Sequence, residues 1–146
     1  MKFSTDLDRT GAILAVGTVT QPASALRRFR VYEVFVGLGA AVVPTDVIRE
    51  WQLLKQTAVA TGTTVTPRAI DPADGAATML ALDVITVEGT VTDILSTRSV
   101  HERASYTWVF YPGTEIVVPV TNSQGINLRQ SSSSATVTKG NILFDE

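Results

Sequence analysis

The side chains able to do chemistry in this chain are few, and each carries a plain structural reading beside the chemical one. His101 is the only histidine, and there is no cysteine. Thiol nucleophiles, disulfide scaffolds and thiolate metal sites are therefore excluded. A histidine-built metal centre takes more than one imidazole, and no serine stands in the strand–turn–helix context of a nucleophile elbow. His101 accordingly reads as a surface residue at the start of a strand. Residues 71–75 are Asp-Pro-Ala-Asp-Gly. Asp71 and Asp74 are two carboxylates without the further oxygens or the closing glutamate of a calcium loop. The stronger reading makes Asp71 an N-cap with Pro72 in the first turn, opening one short helix near 72–80. Gly37-Leu38-Gly39-Ala40 follows a strand but lacks the third glycine and the helix of a dinucleotide loop. No catalytic residue, cofactor or metal-ligand set is expected, and the chain is read as not an enzyme.

Two constellations suit contact better than catalysis. Arg27, Arg28 and Arg30 form a small basic cluster. It could meet phosphate or an acidic partner, although a solvated strand end accounts for it more simply. Tyr106, Trp108 and Phe110 alternate along one extended segment, which puts three rings on one face. Such a row could stack sugars or bases. It serves more often as core or as a subunit interface. These six residues are the candidate interface.

The elements that position them are strands. Threonine and valine make up over a quarter of the 146 residues, and both suit a pleated, half-buried surface. Strands are predicted over 12–20, 28–36, 61–66, 82–87, 90–95, 104–111, 116–121, 125–130 and 135–144, the last kinked at Gly140-Asn141. Tyr111-Pro112-Gly113-Thr114 has proline then glycine at the central positions of a type II turn. That turn type splays a tight hairpin, so a wider loop or a corner between two sheets is expected there. Pro119 cannot donate to a ladder, which assigns its strand to an edge or a bulge. Residues 45–58 are ambiguous. Val47, Ile48, Trp51, Leu54 and Ala58 fit a helical stripe with Thr45 as cap, while Trp51, Leu53 and Thr57 fit one face of a strand. The serine run 131–134 reads as an exposed loop.

The length suits one domain, with residues 1–11 as a flexible N-terminal arm and 12–146 as the domain. A net charge of −2 gives no general attraction to nucleic acid or to an anionic membrane. No apolar run is long enough for a spanning helix. The segment MKFSTDLDRTGA lacks the basic-then-apolar order of a signal peptide.

The order RRFRVYEVFVGLGA, EWQLLKQTAVATGTTVTPRAIDPADGAA, RASYTWVFYPGTEIVVPVTNSQGINLR and TVTKGNILFDE resembles small jelly-roll proteins of tailed bacteriophages. These are capsid decoration, cement or minor virion structural proteins. The resemblance runs from about Leu14 onward. Its most specific pieces are 57–72, with Thr-Ala-x-x-Thr-Gly-Thr, and 103–113, with Arg, then Trp-x-x-x-Pro-Gly. It implies an all-β, antiparallel jelly-roll sandwich of about eight strands, with 49–58 as a strand. It further implies a homotrimer on the outer capsid whose partners are itself and the major capsid protein. The location would be the virion surface, after assembly in the host cytoplasm. The Lys139-Gly140-Asn141 interruption and the residues before the first arginine strand depart from that pattern. The rival expectation is a jelly-roll recognition module that binds carbohydrate or a host receptor from a spike or tail.

Overall fold

The computed structural model describes residues 1–9, 15–24, 26–39, 46–131 and 137–146. Twelve strands follow one another among the described residues: β1 (Lys2–Arg9), β2 (Ala15–Thr20), β3 (Phe29–Leu38), β4 (Ile48–Gln56), β5 (Thr61–Val65), β6 (Arg68–Ala69), β7 (Leu80–Val87), β8 (Val91–His101), β9 (Tyr106–Val109), β10 (Ile116–Val118), β11 (Gly125–Gln130) and β12 (Thr138–Asp145). They form two antiparallel sheets. The first runs β10–β3–β12–β1–β6, with β9 also paired to β3. The second runs β5–β7–β2–β11–β4–β8.

The pairings are nested. β1 pairs β12, β2 pairs β11, β3 pairs both β9 and β10, and β4 pairs β8. Two further ladders, β3 with β12 and β4 with β11, fold that nest into two layers. The segment β5–β7 is inserted between β4 and β8. It widens the second sheet through β7 on β2 and adds the two-residue β6 to β1.

The core lies between the sheets. Phe144 stacks on Phe3 at 5.5 Å between ring centroids and meets the edge of Phe29 at 5.8 Å. Trp51, Leu53, Ile126 and Leu128 come from the second sheet and Trp108, Val118 and Ile142 from the first. Full burial of one such side chain contributes about 1.5–3 kcal/mol.

The structure corrects the expected arm. Residues 2–9 are an interior strand in which Phe3, Thr5, Leu7 and Arg9 are buried while Lys2, Ser4, Asp6 and Asp8 face outward. The alternation has period two, but its outward half is charged or polar, so the segment resembles a solvated terminus. The short helix near 72–80 is also corrected: these residues hold a turn at 72–73 and no helix. Asp71 does use its capping chemistry, since its Oδ1 accepts the Ala73 N–H at 2.9 Å and its carbonyl accepts the Asp74 N–H at 3.0 Å. The turn simply does not propagate. Met79 is drawn into the core directly after it.

Residues 48–56 are a strand, not a helix. Both faces are covered: Trp51 and Leu53 point into the core, while Gln52, Leu54 and Gln56 are buried on the other side. A strand covered on both faces loses its clean alternation, which leaves room for a false helical stripe. The last strand is not kinked. It stays in register with β1 through Lys139, Gly140 and Asn141. Gly140 is there because a Cβ would stand 2.7 Å from the Leu128 side chain of the facing sheet. Expectations for 10–14, Ala40, Thr45 and 132–136 lie outside the described residues.

Candidate functional site

The aromatic row lies where the two sheets meet at one flank. β9 ends the first sheet and β8 ends the second. Trp108 is 5% exposed, and its ring belongs to the core. Its indole N–H donates to Ser96 Oγ on β8 at 3.0 Å, tying the two edges together. Tyr106 packs edge-on against Trp108 at 4.9 Å. It is covered in turn by Arg98, whose Nε donates to the tyrosine oxygen at 3.0 Å and whose guanidinium lies 5.9 Å from the ring centroid. Phe110 is partly buried against the core. The three rings therefore share a face, as the alternation predicts, and that face is mostly turned inward.

The ring left outside is Tyr111, 74% exposed. β9 and β10 pair with successive stretches of β3, residues 33–36 and 29–31. Residues 110–115 leave that edge and return to it, opposite Tyr32, whose carbonyl accepts the Phe110 N–H at 2.9 Å. The connection is thus a wide excursion within one sheet and not a corner between two. At its tip Thr114 donates its N–H and its hydroxyl to the Tyr111 carbonyl, both at 2.8 Å. Gly113 has φ +90°, the left-handed value that a type II turn needs at this position. The Gly113 N–H donates to Glu115 Oε2 at 2.7 Å. The residue's own backbone N–H, and then this bond, hold the Glu115 carboxyl below the usual carboxylate range. Tyr111 is consequently presented on a rigid tip.

The arginines sit at the other end of β3. Arg27, Arg28 and Arg30 are all exposed. Arg30 grips Asp145 with two bonds, Nε to Oδ1 at 3.0 Å and Nη2 to Oδ2 at 2.8 Å. That bond and the charge of Asp145 raise the guanidinium above its ordinary value. Arg28 borders a shallow hollow of about 310 Å³ with Met1, Arg30, Asp145 and Glu146. Arg27 and Arg28 have no carboxylate within ion-pair distance among the described residues. The basic cluster and the aromatic row are not brought together.

His101 closes β8 on the surface. Its Nδ1 accepts the Arg103 N–H at 3.2 Å, and its Nε2 lies 3.7 Å from Asp46. Among the described residues no three histidine, aspartate or glutamate side chains gather around a possible metal.

Three features were hidden from sequence reading. One is a buried ion pair, Arg49 to Glu102 at 2.9 Å, with the Glu102 side chain only 1% exposed. A second is a polar network on the outer face of the second sheet. There Arg129 donates to Gln52 Oε1 at 2.8 Å and stands 3.5 Å from Glu88, while Asn127 donates to Gln56 and Glu88, each at 3.4 Å. The third is a cleft of about 250 Å³ between β10 and the ends of β4, β8 and β11. Its wall is apolar at Ile116 and Val117, with the core residues Val118 and Ile126 behind, and its mouth carries Lys55 and Asp93, 3.8 Å apart. Each of these joins residues far apart in the chain, so no local spacing announces it. The composition signal for the cleft was the apolar β10 itself.

Compared with known proteins, the chain matches no family model, no curated protein sequence and no solved structure.

Proposed function

We propose that this chain is a virion structural protein of a tailed bacteriophage, a decoration or cement protein with jelly-roll topology. In this reading it binds the outer capsid as a homotrimer and stabilises the shell. The observation that carries the reading is the strand order. Eight of the strands, counting β9 and β10 as one, pair as a nested hairpin wound into two four-stranded layers: β9/β10–β3–β12–β1 and β8–β4–β11–β2. Two Greek keys in a double sheet are the jelly-roll arrangement, common in viral capsid domains and in lectins. β5–β7 is then an insertion between the fourth and fifth strands of the roll. The sequence resemblance over 57–72 and 103–113 adds the phage context.

The action would be physical. A trimer spanning neighbouring capsid subunits adds contact area at seams strained by packaged DNA. A protein that binds the expanded shell and not its disassembled subunits stabilises it by mass action, by about 2.7 kcal/mol per site at one hundred times Kd. Exposed apolar side chains on the β8–β10 flank, among them Ile94, Val109, Val117 and Val120, suit a protein that works in an assembly.

The test is light scattering on the purified chain, followed by sedimentation with expanded heads. The expected result is three times 15.6 kDa, co-sedimentation with heads, and a higher temperature of shell disruption. A monomer at micromolar concentration that leaves heads unaffected overturns the reading. Glycan capture by such a monomer would move it to the recognition class.

A further inference from the structure

The same flank carries a knob and a hole. Tyr111 projects from a turn locked by three hydrogen bonds, and at 74% exposed it does not fill the cleft of its own chain. The cleft begins at Ile116, five residues further on, and its volume is about 250 Å³. A dry cavity of about 150 Å³ holds a benzene ring, so the cleft has room for a phenol. Its chemistry suits one as well. Ile116 and the exposed Val117 offer an apolar wall, while Lys55, Asp93 and Gln124 offer donors and acceptors at the mouth. A tyrosine has this same division into an apolar body and a polar end. Exposed apolar residues flank both parts: Val109 beside the knob, and Ile94, Val117 and Val120 beside the hole.

We propose that the Tyr111 ring of one copy seats in the β4–β8–β10–β11 cleft of the next copy, with its hydroxyl at the Lys55–Asp93 pair. In a trimer the contact runs head to tail and is heterologous; exchanged reciprocally across a two-fold it would give a dimer instead, and a dimeric unaltered chain overturns the trimer reading. Heterologous contacts form closed rings when the rotation between copies closes. Knob and hole lie side by side on one flank, which lets three copies pass the contact around an axis running beside that flank. Tyrosine anchors of this kind, rigid and centrally buried, dominate interface energetics. The inference rests on the homotrimer reading above and specifies where that trimer is joined.

The experiment measures association by light scattering and analytical ultracentrifugation for the unaltered chain and three variants. Tyr111→Ala removes the knob, Thr92→Trp blocks the exposed mouth of the cleft, and Tyr111→Phe keeps the ring. Circular dichroism melts establish that each variant folds; Tyr111 and Thr92 are both exposed, so the melts are expected to match. The expected outcome is a trimer for the unaltered chain and for Tyr111→Phe. Association should be weaker by about thirtyfold or more for Tyr111→Ala and similarly for Thr92→Trp. A trimer that survives both Tyr111→Ala and Thr92→Trp overturns this contact and leaves the trimer reading standing. A trimer lost with Tyr111→Ala but kept with Thr92→Trp places the ring elsewhere and also overturns it. A monomeric unaltered chain removes the trimer reading and this contact together.

Discussion

On one flank of the sandwich, β6 extends the first sheet and β7 and β5 extend the second, so that β1 and β2 are interior strands. On the other, β8 and the β9–β10 edge end their sheets with no further strand beyond them among the described residues. The first flank is closed by chain crossing from sheet to sheet. Residues 70–79 pass from β6 to β7, the Ile70 N–H donates to the Lys2 carbonyl at 2.9 Å, and Met79 enters the core. The second flank is crossed only at one end, by the short 102–105 link from β8 to β9, and along the rest of its length the described residues close it by side chains, Trp108 on Ser96 and Arg98 over Tyr106. Edges left open in this way are normally blunted by bulges and charges. β8 does carry two register shifts against β4. It also keeps Ile94 and Leu95 exposed, which a strand protected for its own sake would not. The difference teaches that the insertion between β4 and β8 shields one flank, while the other is left available.

The contrast is broken most severely at Trp108. Trp108→Ala should cost about 3–5 kcal/mol, the range for truncating a buried aromatic, read as a fall in the urea midpoint with an unchanged slope. A cost below about 1 kcal/mol would mean that the open flank is not held by this ring. On the closed flank the crossing segment is latched by Thr78, whose N–H and hydroxyl donate to the two Glu146 oxygens at 2.8 and 2.6 Å. Thr78→Ala removes the second bond only and should cost about 1 kcal/mol, with faster hydrogen exchange confined to 70–79. Exchange that spreads through the whole first sheet would show that the segment is no separate latch.

The smallest effect sharpens the comparison electrostatically. Asp83 on β7 is pushed above the usual carboxylate range by burial, with the neighbouring Asp8 adding to the rise. The Asp8 N–H, donating to Asp83 Oδ2 at 3.3 Å, opposes that rise. A carboxyl raised in the folded state binds its proton more tightly there than in the unfolded chain. Stability therefore falls as pH rises from the ordinary aspartate value through the raised one, and it stays lower above. Asp83→Asn removes that cost while keeping an oxygen for the Asp8 N–H. It should raise stability at pH 7 by less than about 1 kcal/mol, with the gain vanishing near pH 3. Melting temperatures at the two pH values decide this, and a loss at pH 7 would show that the charge itself holds the flank.

What could be read in the sequence was what depends on near neighbours. The 104–110 alternation correctly places Tyr106 and Trp108 on one face, and Tyr111-Pro112-Gly113-Thr114 makes the turn its proline and glycine demand. The β1 strand escaped because its outward residues Lys2, Asp6 and Asp8 are as polar as a disordered terminus, and only pairing with β12 and β6 reveals the inward ones. The helical stripe over 45–58 arose because Leu54 is buried on the opposite face of the strand from Trp51. The knob could be seen as a turn; the hole could not, since its walls come from four strands that meet only in the fold. Tyr111 does not stand out from the inward row next to it, because alternation says which residues share a face and not which face meets solvent.

The position of β12 between β1 and β3 also sets a clock. Phe3 and Leu7 are made early, yet the strand beside them comes only with residues 138–145. At ordinary synthesis rates of about 5–20 residues per second, roughly six to twenty-six seconds separate β1 from β12, and in that interval only the two-residue β6 is there to pair with β1. Its sheet cannot close until the late strand slots in. Long-range closure by β12 is therefore the slow step of folding, and soluble yield should depend more on how slowly and how cold the chain is made than on any single contact within it.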